Sequence, residues 1–262
     1  MTKALLAGIL TVVATSIVGT WVVLRGISFL GDALAHGVLP GIAIAFIIGV
    51  NTTVGALIAA LVMVGGINLI RARSPLPEDT SIGILFVGFL ALAVVIMSSR
   101  TGDLNRFLFG SITGVNNADL VRQAGAAAIS VVGVVVFYRT FLVMTFDQIQ
   151  ARLLGLRPRL GHAVLLILLA ISIVASFETV GTLLVFAFLV APPATASLLV
   201  RRVPMIMTTA LAIGIASVIV GLLISYHYQL APGATMALVA VGCYLAALLG
   251  QAMMRSSTIS TG

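Results

Sequence analysis

The stretch Gly31-Asp32-Ala33-Leu34-Ala35-His36-Gly37-Val38-Leu39-Pro40-Gly41 places an acid and an imidazole inside a sequence that is otherwise almost entirely apolar. Asp32 and His36 are four residues apart, so on an α-helix they project from the same face, one turn apart. Ionisable side chains at membrane depth are costly and usually face a bundle interior or an ion path. A carboxylate oxygen and an imidazole nitrogen are ligands for dications such as zinc and manganese. The spacing therefore predicts a metal path; the alternative is a helix-capping Asp32 with a buried, hydrogen-bonded His36.

The residues that follow this pair predict a distorted helix in close contact with another helix. Pro40 has no N–H group, so the main-chain carbonyl of His36 loses its helical donor. We therefore expect a kink beside the pair. Gly37 and Gly41 form a GxxxG step, which lets a second membrane helix approach that face.

The composition is that of a membrane protein. Of the 262 residues, 61% are hydrophobic and 8% are charged, and the mean hydropathy is +1.25, outside the usual range of soluble domains. The net charge of +7 comes from basic residues scattered between apolar runs, which is typical of topology determinants rather than of a nucleic-acid surface. Lys3 is the only lysine, so no Walker A motif exists in this chain, and any ATP hydrolysis needs another subunit. The single Cys243 excludes an intrachain disulfide.

Apolar runs predict an all-α fold, a bundle of eight or nine transmembrane helices in a single domain over residues 1–262. The number is eight if the first or the second run lies along the membrane surface. The run 160–200 is too long for one crossing, and Glu178 beside Gly181 marks a break between two. The predicted spans are 4–24, the opening stretch through Gly49, 53–70, 81–98, 121–143, two within 160–200, 205–226 and 234–253.

The basic residues predict the orientation, because cytoplasmic loops are enriched in arginine. With nine crossings and an extracytoplasmic N-terminus, ten basic residues fall inside and four outside. The inner set is Arg25, Arg71, Arg73, Arg139, Arg152, Arg157, Arg159, Arg201, Arg202 and Arg255, and the outer set is Lys3, Arg100, Arg106 and Arg122.

A cytoplasmic segment, residues 147–158, predicts a short amphipathic helix followed by a breaker. Ile149, Leu153 and Leu154 would lie on one side of it, flanked by arginines. Such a helix can dock into a groove on a soluble partner. The alternative is an interfacial helix that rests on anionic lipid.

Three further features carry weaker predictions. Glu178 and His227 fall on the outer side and could form a vestibule that attracts metal, although an interfacial acid and a solvated histidine need no such role. His162 is expected at the inner end of its helix. Pro192 and Pro193 free the carbonyls of two residues one turn earlier, so they predict a break or bend that forms a hinge, a pathway lining or a purely structural kink.

Five segments in the same order resemble the permease subunits of bacterial ABC importers for zinc, manganese or iron. The opening stretch, taken from Ser28, is the first of them. The others are Glu78-Asp79-Thr80-Ser81-Ile82-Gly83-Ile84, Phe107-Leu108-Phe109-Gly110-Ser111-Ile112, Ala151-Arg152-Leu153-Leu154-Gly155-Leu156, and Leu189-Val190-Ala191-Pro192-Pro193-Ala194-Thr195-Ala196. Together they cover nearly the whole chain.

The resemblance implies a permease core in the bacterial cytoplasmic membrane, formed by two permease copies, expected to be a homodimer. It also implies two separate ATPase subunits and an extracytoplasmic metal-binding protein. The metal route of that family carries over onto Asp32 and His36. The surface that contacts the ATPase carries over onto the segment that includes Asp147, Ala151, Arg152, Leu154 and Gly155. Two departures are Gly37, where alanine is usual, and Glu178, where an uncharged residue is common.

The function predicted is therefore a non-enzymatic permease that moves a divalent metal, with zinc or manganese favoured, and that uses no cofactor of its own. Three alternatives are open. A siderophore or cobalamin permease would need a wide cavity and no metal-binding pair. A proton-driven secondary metal transporter would need acids at mid-membrane in several helices, whereas most acids here lie in loops. An intramembrane metalloprotease would need a pair such as H-E-x-x-H, which the separate His36, His162 and His227 do not form.

Overall fold

The computed structural model describes residues 2–73, 77–98 and 115–259, which are almost entirely helical. This confirms the all-α fold class. The resembling segment at residues 107–112 lies outside the described residues. In the described ranges the helices, in chain order, are α1 (Thr2–Leu24), α2 (Phe29–Gly37), α3 (Leu39–Ile48), α4 (Thr52–Arg73), α5 (Glu78–Met97), α6 (Asn117–Phe146), α7 (Gln148–Leu153), α8 (Pro158–Val180), α9 (Thr182–Leu199), α10 (Val203–Tyr228) and α11 (Pro232–Ile259).

The number of membrane-spanning segments agrees with the sequence prediction. Eight segments of the described chain are long and apolar enough to cross a bilayer, and one of them is the stretch Phe29–Ile48, which comprises α2 and α3. The apolar part of α9, Leu184–Leu199, is shorter. It corresponds to the second of the two spans predicted within residues 160–200. The chain is therefore a multi-pass membrane protein.

Helix α1 lies at the centre of the bundle, where it packs against α6, α8, α9 and α10. A surface location for the first apolar run is therefore wrong. Thr11, Thr15, Ser16 and Thr20 are fully buried in α1. The hydroxyls of Thr15 and Thr20 donate to carbonyls one turn earlier in α1, at 2.7 and 2.8 Å. Only the Ser16 hydroxyl among these four donates to a carbonyl of another helix, as described below.

Two of the predicted interruptions are present. The break between α8 and α9 falls at Gly181, whose φ of 81° is a conformation that glycine adopts at little cost. The kink near Pro40 is a short interruption at Val38, between the end of α2 and the start of α3. Pro40 lies in the first turn of α3, where a missing N–H removes no helical hydrogen bond.

The pair Pro192 and Pro193 does not break α9, which continues as a helix from Thr182 to Leu199. A broken helix is therefore wrong here. The carbonyl of Phe188, which Pro192 deprives of a helical donor, instead accepts a hydrogen bond of 3.2 Å from the Ser16 hydroxyl of α1. A neighbouring helix thus replaces part of what the prolines remove.

The GxxxG step packs against α4, which confirms the predicted close approach. A Cβ atom added at Gly37 would lie 2.0 Å from the sulfur of Met63, and one added at Gly41 would lie 2.1 Å from the main-chain oxygen of Gly55. Gly55 faces Gly41 in the same way, with an added Cβ 2.3 Å from the Gly41 oxygen. The two backbones therefore meet without side chains between them.

Residues predicted to lie on the same side of the membrane are close together in the structure, whereas which side is cytoplasmic stays a prediction. Nη1 of Arg25 lies 3.1 Å from Nδ1 of His162, and both residues belong to the predicted inner end. Lys3, Tyr226 and Gln229 line one recess at the opposite end of α1, which is the predicted outer end.

Candidate metal pathway site

Asp32 and His36 lie together on one face of α2, as their spacing predicts. Oδ1 of Asp32 is 3.5 Å from Nε2 of His36, and the two side chains are 31% and 26% exposed. Residues 33–35 between them are buried. The pair therefore forms a polar, partly open face on a helix whose other residues, apart from Phe29 at its start, are buried. At 3.5 Å the contact is too long for a strong hydrogen bond, so both ligand atoms are available to a third group.

The His36 ring is held by packing against an aromatic side chain and not by a hydrogen bond at Nδ1. Its centroid lies 5.9 Å from that of Phe86 on α5, with an angle of 65° between the rings, and Phe86 also contacts Phe29 at 5.8 Å. Nδ1 of His36 is buried and has no hydrogen-bond partner among the described residues. Histidine ligands at permanent metal sites usually donate their second ring N–H to an acceptor. The environment of His36 therefore suits a transient contact better than a resident metal.

The site can supply only part of a coordination shell. Within the part of the chain that the structure describes, no group of three or more His, Cys, Asp or Glu side chains could hold a metal. Asp32 and His36 provide two ligands, whereas closed protein sites for zinc use four. Incomplete coordination is what a conduit requires, since an ion must leave as readily as it enters.

Of the two weaker metal candidates, His227 is not brought to this pair. His227 is exposed at the end of α10, where its ring contacts Tyr226 with the centroids 6.4 Å apart. Glu178 lies in the last turn of α8, and its side chain lies outside the described residues. A role for either residue in an outer vestibule stays a prediction.

The segment 147–158 contains the predicted short helix, α7, between two membrane-spanning helices. Asp147 caps its N-terminus, because Oδ1 accepts hydrogen bonds from the main-chain N–H groups of Ile149 and Gln150 at 2.7 and 3.0 Å. Gly155 follows the helix with a φ of 71°, a left-handed conformation that favours glycine. Ala151 is fully buried and holds α7 against the bundle.

The face of α7 that points away from the bundle is apolar and largely exposed. Ile149, Leu153 and Leu154 are 71%, 81% and 56% exposed. Beside them, a cavity of about 410 Å³ is lined by Arg152, Arg157 and the first residues of α8, among them Arg159. An exposed apolar ridge flanked by arginines is the pattern expected of a docking surface.

Sequence reasoning missed the contribution of Phe86 to the site. It lies in an apolar run whose residues look alike in sequence, and nothing in the spacing indicates that its ring contacts His36 on another helix. A phenylalanine one helical turn before the acid, at Phe29, was the only available signal of an aromatic cluster.

Comparisons with known proteins agree with this architecture. The model of the ABC 3 transport family matches residues 1–251. A manganese transport system membrane protein, MntC from Listeria innocua, is 36% identical over 249 residues, which are 94% of this chain and 89% of that protein. A probable iron transport system membrane protein from Haemophilus influenzae is 34% identical over 250 residues, or 95% and 92% of the two chains. The solved structure of PsaBC from Streptococcus pneumoniae in complex with Fab matches with a TM-score of 0.84 at 31% identity, covering 94% of this chain and 90% of that one.

The fold, the polar pair in α2 and these matches define a membrane permease of the ABC transporter class. The chain belongs to the ABC 3 transport family.

Proposed function

We propose that this chain is the permease subunit of an ATP-driven importer for divalent metal cations, and that manganese is its main substrate. The observation that carries the proposal is the Asp32–His36 pair, an acid and an imidazole 3.5 Å apart on a partly exposed face of a membrane helix. Of the two metals expected from sequence, manganese is favoured over zinc, because the relatives named with the family are transport proteins for manganese or iron. An oxygen and a nitrogen ligand suit Mn²⁺.

The partly exposed pair also supports a second permease copy. An acid exposed to lipid at membrane depth is costly by several kcal/mol, so the open face of α2 requires a polar or protein neighbour. A second copy of the chain supplies one, and two pairs across a two-fold axis give four ligands. In the assembled dimer the ion passes between the subunits through this ring of four groups.

Helix α7 supports a separate ATPase partner on the cytoplasmic side. Its exposed leucines give an apolar ridge, and the neighbouring arginines favour an acidic rim on the partner. Closure of two ATPase subunits on ATP binding would push on α7 and tilt the helices that it joins, α6 and α8. An extracytoplasmic binding protein delivers the metal at the opposite face, and the permease lies in the bacterial cytoplasmic membrane.

The experiment is uptake of ⁵⁴Mn²⁺ into proteoliposomes that contain the permease, its ATPase and its binding protein. Asp32→Asn keeps the shape of the side chain but removes the charge, and His36→Ala removes the ring nitrogen. We expect each variant to lower uptake by about a hundredfold, since loss of only a hydrogen-bonding partner of a metal ligand weakens metal binding by about 10–100-fold, and loss of the ligand itself weakens it at least as much. Wild-type uptake in both variants would contradict the metal path.

A matched control comes from the acid Asp119 at the predicted outer end, which pairs with Arg122. Asp119→Asn removes the same charge, keeps a side-chain oxygen for the main-chain N–H of Asn116 that Asp119 caps, and is expected to leave uptake unchanged. His227→Ala tests the vestibule in the same assay: a vestibule that concentrates cations predicts a raised KM with an unchanged maximal rate. Uptake that needs a chelator, or that continues without ATP, would point to a chelate permease or a secondary transporter.

A further inference from the structure

Leu189 of α9 occupies a notch between two other helices. Its main-chain oxygen faces Gly19 of α1, where an added Cβ would lie 2.0 Å from that oxygen. Its side chain faces Gly31 of α2, where an added Cβ would lie 2.1 Å from the Leu189 Cδ2 atom. Leu189 is fully buried. One residue therefore contacts α1 through its backbone and α2 through its side chain. The backbone contact requires glycine at position 19, whereas a larger residue at position 31 would displace the buried Leu189 side chain.

The backbone of α9 around Leu189 is held in a fixed position. The prolines at 192 and 193 have φ fixed by their rings, and they leave the carbonyls of Phe188 and Leu189 without helical donors. Ser16 donates a hydrogen bond to the first of these oxygens, at 3.2 Å. The second is the oxygen that packs on Gly19. Helix α1, at the centre of the bundle, thus fixes the position of Leu189.

The side-chain contact of Leu189 falls directly beside the metal pair. Gly31 immediately precedes Asp32, and α2 is only nine residues long. Helix α2 also packs against α4, α5 and α8, and the contact with Leu189 is the one that falls beside the acid of the pair. Rotation about its axis would swing the Asp32 carboxylate and the His36 ring together, away from the path.

We infer that Leu189 is a positioning residue, which sets the rotation of α2 through the Gly31 notch and so aims Asp32 and His36 at the metal path. This inference rests on the proposed function of that pair. Functional groups must be held within about 0.5 Å of their working geometry, and a methyl group at Gly31 overlaps Leu189 by more than that. The contact of Gly31 with Leu189, whose backbone is held by α1, sets the position of the pair with this precision.

The test is a size-complementation series measured by Mn²⁺ uptake in the reconstituted importer. Gly31→Ala is expected to raise the KM for Mn²⁺ or lower the maximal rate by about ten- to a hundredfold, since misplacement by about 1 Å has effects of this size. Adding Leu189→Ala should restore uptake to within about threefold of wild type, because the new methyl group then fits the vacated notch. Gly31→Ala uptake equal to that of wild type, or a defect that Leu189→Ala does not relieve, overturns the inference.

Gly19→Ala is the matched control on the other side of the same residue. Its added methyl group meets the Leu189 main-chain oxygen, which Leu189→Ala leaves in place, so its defect should persist in the double variant. Equal rescue of both glycine variants would show a general loosening of the core and would overturn the specific role of Leu189.

Two further variants keep the test decisive. Leu189→Val removes one methylene, and we expect it to raise the KM for Mn²⁺ by about three- to tenfold while the thermal midpoint of the assembled importer changes by a few degrees. An unchanged KM for Leu189→Val overturns the inference even if Gly31→Ala does not assemble.

Asp32→Asn in the same series separates the two proposals. Normal uptake by Asp32→Asn means that the metal path itself is wrong, whereas lost uptake with no rescue of Gly31→Ala means that only the role of Leu189 is wrong.

Discussion

The hydroxyl of Ser16 donates a hydrogen bond of 3.2 Å to the main-chain oxygen of Phe188, the carbonyl that Pro192 leaves without a helical donor. The two residues are 172 positions apart in sequence and both are fully buried. An unpaired main-chain carbonyl in the membrane interior carries a desolvation penalty. The contact therefore supplies a donor to one of the two carbonyls that the successive prolines of α9 leave free.

Replacing Ser16 by alanine is expected to destabilise the bundle by about 0.5–2 kcal/mol, since membrane hydrogen bonds contribute at this level. The buried oxygen of Phe188 would lose its donor, and the apparent unfolding midpoint should fall by about 2–6 °C. The measurement is thermal unfolding in detergent, followed by the fluorescence of Trp21, which is the only tryptophan and is fully buried.

Ser217→Ala is the control for this prediction. The Ser217 hydroxyl donates to the carbonyl of Ile213 at 2.8 Å within α10, an oxygen that has its ordinary helical donor. We expect a change of no more than about 0.5 kcal/mol. Equal effects of the two substitutions would mean that the Ser16 hydrogen bond adds nothing to the stability of α9.

Gly41→Ala is expected to destabilise the α3–α4 pair by about 1–3 kcal/mol, because the new methyl group would meet the backbone oxygen of Gly55 and the helices would have to separate. Gly65 lies in α4, as Gly55 does, and the methyl group that Gly65→Ala adds meets open space. That control should be neutral or stabilising by up to about 1 kcal/mol, as for other exposed helical glycines. Thermal unfolding of the two variants side by side decides the prediction, and a Gly41→Ala variant as stable as wild type contradicts it.

Much of the architecture could be predicted because each signal was local. Helix length, the break at Gly181 and the interruption beside Pro40 all follow from properties of neighbouring residues. The Asp32–His36 contact also follows from local spacing, since four residues make one helical turn.

Which helices contact each other could not be predicted in the same way: the GxxxG step predicted a close approach but not that α4 is the partner. In a membrane helix nearly all positions are apolar, so periodicity does not reveal which face packs on which neighbour. Ser16 has the same local context as Thr15 and Thr20, yet only Ser16 reaches another helix. For the same reason the prolines at 192 and 193 predicted a break or a bend, since the hydroxyl that compensates for Pro192 lies in α1. The contact of Phe86 with His36 was hidden in the same way.

Asp147→Ala is expected to weaken coupling to the ATPase without unfolding the permease. The Asp147 carboxylate caps α7 through two main-chain hydrogen bonds, and loss of such a cap is worth about 1 kcal/mol. A helix of only six residues cannot absorb that loss. We expect the ATPase activity stimulated by the binding protein to fall by about fivefold. Asp147→Asn keeps a capping oxygen and should behave as wild type, whereas equal loss in both variants would assign the effect to charge rather than to the cap.

Leu154→Glu is expected to abolish the ATPase contact if α7 is the docking helix. Leu154 is 56% exposed at the end of α7, and burying a charge in an apolar groove should raise the Kd for the ATPase by about tenfold or more. Leu230 is 52% exposed at the opposite end of the bundle, so Leu230→Glu introduces the same charge at a similar exposure, away from the ATPase. The measurement is binding of purified ATPase to nanodisc-embedded permease by biolayer interferometry. Because both variants add one acid to a solvated surface, they should unfold at similar temperatures, and only Leu154→Glu should lose binding. A Leu154→Glu permease that binds the ATPase as tightly as the Leu230→Glu permease would show that the ridge on α7 rests on lipid instead.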